Sequence, residues 1–246
     1  MAAHWVMVHV VLVLFVATLI RSALGFGEAL IAVPLLAFVM PIEVAAPTAV
    51  LVSITIALIV VIQDWRHVHV KSAGWLILST LVGIPLGLLM LKTLPEAVVE
   101  GILGVIVAAF SVRSLTSGRN QELKDDRWAG LFGFAAGVLG GAYGMNGPPL
   151  AMYGSLRRWS PEHFRATLQA YFLPASLVGM GGYWLTGLWT PPVNRYYLIS
   201  LPGVLVATFA GRAMNRRIGG SRFVLCIHAG LIVIGALLLI KAWWSR

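Results

Sequence analysis

Long apolar runs, separated by short intervals that collect almost all of the charge, give this chain its pattern. Ten apolar segments can be drawn: 5–24, 27–40, 44–63, 73–92, 96–115, 128–145, 147–157, 166–188, 194–212 and 222–240. They are apolar on every face and lack the alternation of strands, so each reads as a helix that satisfies its own backbone in hydrocarbon. Eight of the ten approach the roughly 20 residues needed to cross a bilayer core. Segments 27–40 and 147–157 are too short and read as half-helices or steep returns. The run behind Met1-Ala-Ala-His-Trp lacks a basic leader and extends to Leu24, so it reads as a retained first helix rather than a cleaved signal.

Both short segments follow glycine turns. One is Ala23-Leu-Gly-Phe-Gly-Glu-Ala-Leu-Ile-Ala-Val-Pro34; the other is Gly140-Gly-Ala-Tyr-Gly-Met-Asn-Gly-Pro-Pro-Leu150. Each backbone group left unpaired in hydrocarbon costs several kcal/mol, so a break at this depth survives only inside protein or beside a polar cavity. The two stretches are also related. At an offset of 119 residues the matches include Gly25/Gly144, Glu43/Glu162 and Thr48/Thr167, and beyond an insertion at 190–194 the offset becomes 124, with Gly87/Gly211 and Met90/Met214. The polar interval near the middle then acts as a linker, giving a first membrane repeat at 1–115, a cytoplasmic linker at 116–127 and a second repeat at 128–246. Five segments is an odd number, so the copies run in opposite senses. The expected fold is an all-α polytopic membrane protein of two inverted repeats, an architecture common among secondary transporters.

Composition agrees: 59% of residues are hydrophobic and 11% charged. The net charge of +9 falls in the intervals rather than on one polar face, which excludes a nucleic-acid binder and makes the lipid bilayer the partner. If the chain changes sides at every segment, Lys92, Arg195, Lys241 and Arg246 fall on one side and the other fourteen of the eighteen Lys and Arg on the opposite side. The positive-inside bias then places both termini outside the cytoplasm. The single Cys226 allows no intrachain disulfide. His67, His69 and Asp64 lie close in sequence, but the plainer reading is a solvated loop, so neither a metal nor a cofactor is expected. G-x-x-x-x-G-K-[ST], H-E-x-x-H and G-x-S-x-G are all missing, which argues against an enzyme.

In inverted copies the two turns approach the midplane, each leading into a helix N-terminus. Free N–H groups and the positive dipole end there favour a small anion. Gly25, Gly27, Gly144 and Gly147 permit close approach of backbone to the ligand, and Pro148 suits a first helical turn. Tyr143 and Asn146 offer donors beside the second turn; Thr48, Thr167 and Gln169 are polar positions on the following helices, where each threonine has a back-bond to its own helix as the alternative. Arg21 reads either as a countercharge for the substrate or, more simply, as a cation snorkelling from the end of segment one. Glu28 opposes an anionic ligand, so it must be protonated or paired when the anion binds, which makes protons a candidate coupling ion. Glu43 and Glu162 read as acids complementing helix dipoles.

The two glycine turns, leading into Val33-Pro34-Leu35 and Gly147-Pro148-Pro149, resemble those of the sulfite exporter TauE/SafE family of membrane permeases, and the similarity runs over nearly the whole chain. The resemblance implies a bacterial inner-membrane exporter of small sulfur-containing anions such as sulfite or organosulfonates, with Gly25, Gly27, Pro34, Gly144, Gly147 and Pro148 forming the site. Glu28, Ala29 and Asn146 depart from the family's glycine-rich pattern. The alternatives are an anion channel or a carrier for another small solute, and after those a non-transporting membrane subunit or intramembrane enzyme.

Overall fold

The structure, a computed structural model, describes residues 2–93, 96–116, 122–143 and 146–244. Among these residues the chain is all helical: α1 (Ala2–Leu24), α2 (Glu28–Ala37), α3 (Ile42–Asp64), a 3-10 turn (Trp65–His67), α4 (Val70–Thr93), α5 (Glu96–Thr116), α6 (Ala129–Tyr143), α7 (Gly147–Leu156), α8 (Pro161–Leu185), α9 (Pro191–Arg217) and α10 (Gly220–Trp244). Each expected segment is met by one helix, and the second helix of each half, α2 and α7, is only 10 residues long. Five stretches are long and apolar enough to cross a membrane: Trp5–Leu24, Ile42–His67, Val70–Gly87, Pro191–Arg217 and Gly220–Ile240. α8, at 25 residues, has the length but carries Glu162, Arg165 and Gln169, while α6 stops after 15 residues at the second turn. The chain is a polytopic membrane protein.

Packing sorts the helices into two units that each draw on both halves of the sequence. One comprises Met1–Val68 with Pro161–Ile218, and the other His69–Ser160 with Gly219–Arg246. In the first unit α1 lies along α9 and α3 along α8, with α2 held between α1 and α3. Leu14, Leu36, Val52, Ile56, Val60 and Val204 are fully buried at its centre. In the second unit α6 lies along α4 and α10 along α5. The α4–α6 contact is close because Gly137 faces the Thr80 backbone, where a methyl group would collide, and the Thr80 hydroxyl donates to Gly133 O at 2.8 Å. Small residues at such crossings bring backbones together and compensate for the weak hydrophobic drive between helices in lipid.

The four most extensive pairings preserve the repeat. If α1 corresponds to α6 and α4 to α9, the α1–α9 pair becomes α6–α4, while α3–α8 and α5–α10 each map onto themselves. Leu58, Ile62, Leu81, Val82, Val206 and Phe209 are exposed, as suits lipid-facing positions; Trp5, Trp65, Trp184 and Trp243, near helix ends, are exposed as in an interfacial aromatic belt.

Candidate functional site

The break between α1 and α2 is built by two left-handed residues. Gly25 has φ 94° and Gly27, the N-cap of α2, has φ 97°, a region that only glycine enters without strain. Gly25 is also crowded, since a Cβ there would lie 3.1 Å from Phe164 Cδ1 and 3.3 Å from Arg165 Cα. Ending α1 here leaves its last carbonyls without helical donors, and side chains from α8 and α9 supply them. Arg165 Nε donates to Ser22 O at 2.7 Å, Asn215 Nδ2 to Ala23 O at 2.7 Å, and Gln169 Nε2 to Gly25 O at 2.9 Å. The break is thus paired within protein, the condition under which non-helical backbone survives at membrane depth.

A buried charged constellation sits on this break. The Arg21 guanidinium, one turn before Gly25, pairs through Nη1 with Glu28 Oε2 and donates from the same nitrogen to Ser53 Oγ at 2.5 Å. Its Nε and Nη2 both donate to Gln169 Oε1, at 3.0 and 2.7 Å, and its plane lies 4.8 Å from the centre of the Phe172 ring. Ser53 and Ser176 share a hydrogen bond of 3.0 Å. Arg21 is 4% exposed, Glu28 2% and Gln169 fully buried, so the ion pair is withdrawn from solvent. Among the described residues Glu28 Oε1 has no hydrogen-bond partner. Helix α8 supplies Gln169, Phe172 and Ser176, which with Arg165 recur at the spacing of one helical face.

Four of the expected site residues therefore come together: Arg21, Gly25, Glu28 and Gln169, with Gly27 capping the helix on which Glu28 stands. Arg21 does not snorkel. Its partners all lie inward, and a buried cation with a carboxylate and an amide in reach has no reason to extend to the surface. Thr48 commits its hydroxyl to its own helix, donating to Val44 O at 2.7 Å. Thr167 is fully buried but lies two residues from Gln169, on the opposite side of α8. At the second turn, Gly144 and the side chain of Tyr143 lie outside the described residues. Asn146 takes the N-cap of α7 without a side-chain capping bond, followed by Gly147 and a buried Pro148 in the first turn. At the 119-residue offset the counterparts of Arg21 and Gln169 are Gly140 and Val50, so the charged constellation belongs to the first turn alone. Pro34 is exposed within α2.

Sequence reasoning missed Ser53, Phe172, Ser176, Arg165 and Asn215. The signal that was available is the periodic stripe on α8. It also missed a second buried cluster, at the ends of α3, α8 and α9. Asp64 pairs with Arg165 Nη1, with Arg212 Nη2 at 2.5 Å and more loosely with Arg216 at 3.9 Å. Asp64 is 6% exposed, not part of a solvated loop. The neighbouring imidazoles turn elsewhere, His67 edge-on to His163 and His69 stacked on Trp159. Among the described residues no group of three His, Cys, Asp or Glu converges as metal ligands would.

The sequence pattern of one protein family, described as "Sulfite exporter TauE/SafE", matches residues 10–238. No curated protein and no solved structure matches the chain.

Proposed function

Because this chain belongs to the sulfite exporter TauE/SafE family of membrane transporters, we propose that it moves small sulfur-containing anions, such as sulfite or organosulfonates, out of the cell across the bacterial inner membrane. The observation that carries this reading is Arg21, a cation 4% exposed at a broken helix and surrounded by groups able to read an oxyanion. A guanidinium presents paired donors in a plane that matches two oxygens of a sulfonate or sulfite. Ser53 and Ser176 add hydroxyls, Gln169 orients the guanidinium by accepting from its Nε and Nη2, and the uncapped N-terminus of α2 adds backbone N–H groups and the positive end of its dipole. The constellation opens alternately to the two faces of the membrane, and the charge asymmetry of the intervals supports periplasmic termini.

The test is reconstitution into liposomes, comparing flux of sulfite, sulfate and several organosulfonates with and without an imposed proton gradient. The expected result is saturable flux of sulfite or a sulfonate that competing sulfonates inhibit. Non-saturable flux shared by all small anions would contradict a carrier.

A further inference from the structure

Glu28 occupies the place that an anionic substrate needs. Its carboxylate stands at the first position of α2, where the helix amides and dipole favour negative charge, and one of its oxygens holds Arg21 Nη1. The other, Oε1, is buried without a partner among the described residues. A carboxylate kept for structure alone would be expected to satisfy both oxygens, because a buried acceptor without a donor is costly. Resting on the reading of this site as the anion site, we propose that Glu28 is a tethered surrogate anion. It neutralises Arg21 when the carrier is empty and yields Arg21 to the substrate when the carrier loads.

The charges balance in both states. Empty, the site holds Arg21 as a cation and Glu28 as an anion. Loaded, it holds Arg21 as a cation and the substrate anion, and the displaced carboxylate takes one proton from the side on which the substrate arrived. Unloading returns that proton to the other side together with the anion. The groups around Glu28 leave this role to one partner. On α1 the described titratable groups are Arg21 and His9, whose Nε2 lies 3.1 Å from Leu35 O. On α3 they are Glu43, exposed in the first turn, and Asp64, held by Arg165 and Arg212. On α8 they are Glu162, His163 against His67, Arg165 paired with Asp64, Tyr171 against Phe172, and Tyr183, and α3 and α8 also contribute the neutral Ser53 and Gln169 at Arg21. Two consequences follow. The empty carrier carries no uncompensated charge through its return, so net flux does not require an anion on the opposite side. Anion binding and proton uptake are also linked one to one.

Purified protein in a weakly buffered detergent solution, titrated with methanesulfonate, tests the linkage in the native chain. This probe has no titratable proton of its own near neutral pH, so proton uptake on binding reports the protein. About one proton per bound anion is expected from linkage, and binding with no uptake overturns the proposal. In liposomes, Glu28→Gln should raise the ratio of methanesulfonate exchange to net efflux at least about tenfold, since the empty form then strands a buried cation. Glu28→Asp, which keeps the charge, should leave the ratio near that of the native protein. An unchanged ratio in Glu28→Gln also overturns the proposal. If the native protein neither binds methanesulfonate nor carries sulfite, it is the anion-site reading itself that fails, a result distinct from binding without proton uptake.

Discussion

At the scale of single residues, the energetics turn on groups that have one workable partner. Replacing Gln169 with Leu leaves Gly25 O and two Arg21 nitrogens short of partners, and each buried unsatisfied group costs about 1–3 kcal/mol. Thermal unfolding in detergent should show that loss, and flux should fall with it; an unchanged melting temperature would mean that water replaces the amide. Gly25→Ala is the more specific lesion, because it forces a Cβ into positive φ and against Phe164, for about 1–3 kcal/mol of backbone strain plus the collision. The same unfolding measurement should register it, whereas Gly147→Ala, where no atom of the described residues lies within 4 Å of the added methyl, should be nearly silent. Outside the membrane-spanning segments, Asp126 gives a pH dependence. Burial opposes its charge, but hydrogen bonds from Ser72 and Tyr153 and the nearby Arg157 and Lys71 outweigh it and hold the carboxyl below its usual range. A lowered native pKa contributes stability above the unfolded value of about 3.9, which is lost as pH falls through the native value. Native protein should therefore lose more stability than Asp126→Asn on acidification below about pH 4, and equal losses would contradict the assignment.

At the scale of elements, the structure explains both what hydrophobic patterning reveals and where it stops. The helices were legible because lipid demands continuous apolar surface. The two short ones were legible because glycine and proline cannot hide in such a run. α8 was cut short in the sequence reading, from 166 instead of Pro161, because patterning ends a membrane helix at its first charge. Arg165 is nevertheless inside the fold, compensated by Asp64, which lies 101 residues earlier, and by the Ser22 carbonyl. No local window contains both partners. Arg21 and Gln169 are joined across 148 residues in the same way, so the sequence indicates that each is unusual but not that they meet. The Asp64 cluster ties the ends of α3, α8 and α9, and Asp64→Asn would leave three arginines facing one another. Breaking such a buried pair costs about 3–5 kcal/mol, so low yield of folded protein by size-exclusion chromatography is the expected outcome, with partial rescue by Arg212→Gln in the same chain.

At the scale of the molecule, the duplicated sequence and the divided chemistry have to be read together. The most extensive helix pairings repeat between halves, while Arg21 and Gln169 have only Gly140 and Val50 at the corresponding positions. Arg21 and Arg165 are buried and paired; with them set aside, the split of Lys and Arg expected from the segment count is twelve against four, in the same expected direction. In a chain with Cys226 replaced by Ala, a membrane-impermeant thiol reagent applied to intact cells should label Trp189→Cys, whereas Lys124→Cys should react only after permeabilisation; the reverse pattern would invert the topology. The central claim, that Arg21 is the countercharge for a transported anion, is tested most directly by competition against sulfite flux in proteoliposomes. Methanesulfonate and its neutral near-isostere dimethyl sulfone are compared, in native protein and in Arg21→Gln. Methanesulfonate should inhibit native flux, dimethyl sulfone should not, and Arg21→Gln should carry no saturable flux; equal inhibition by both compounds, or saturable sulfite flux without Arg21, would contradict the account.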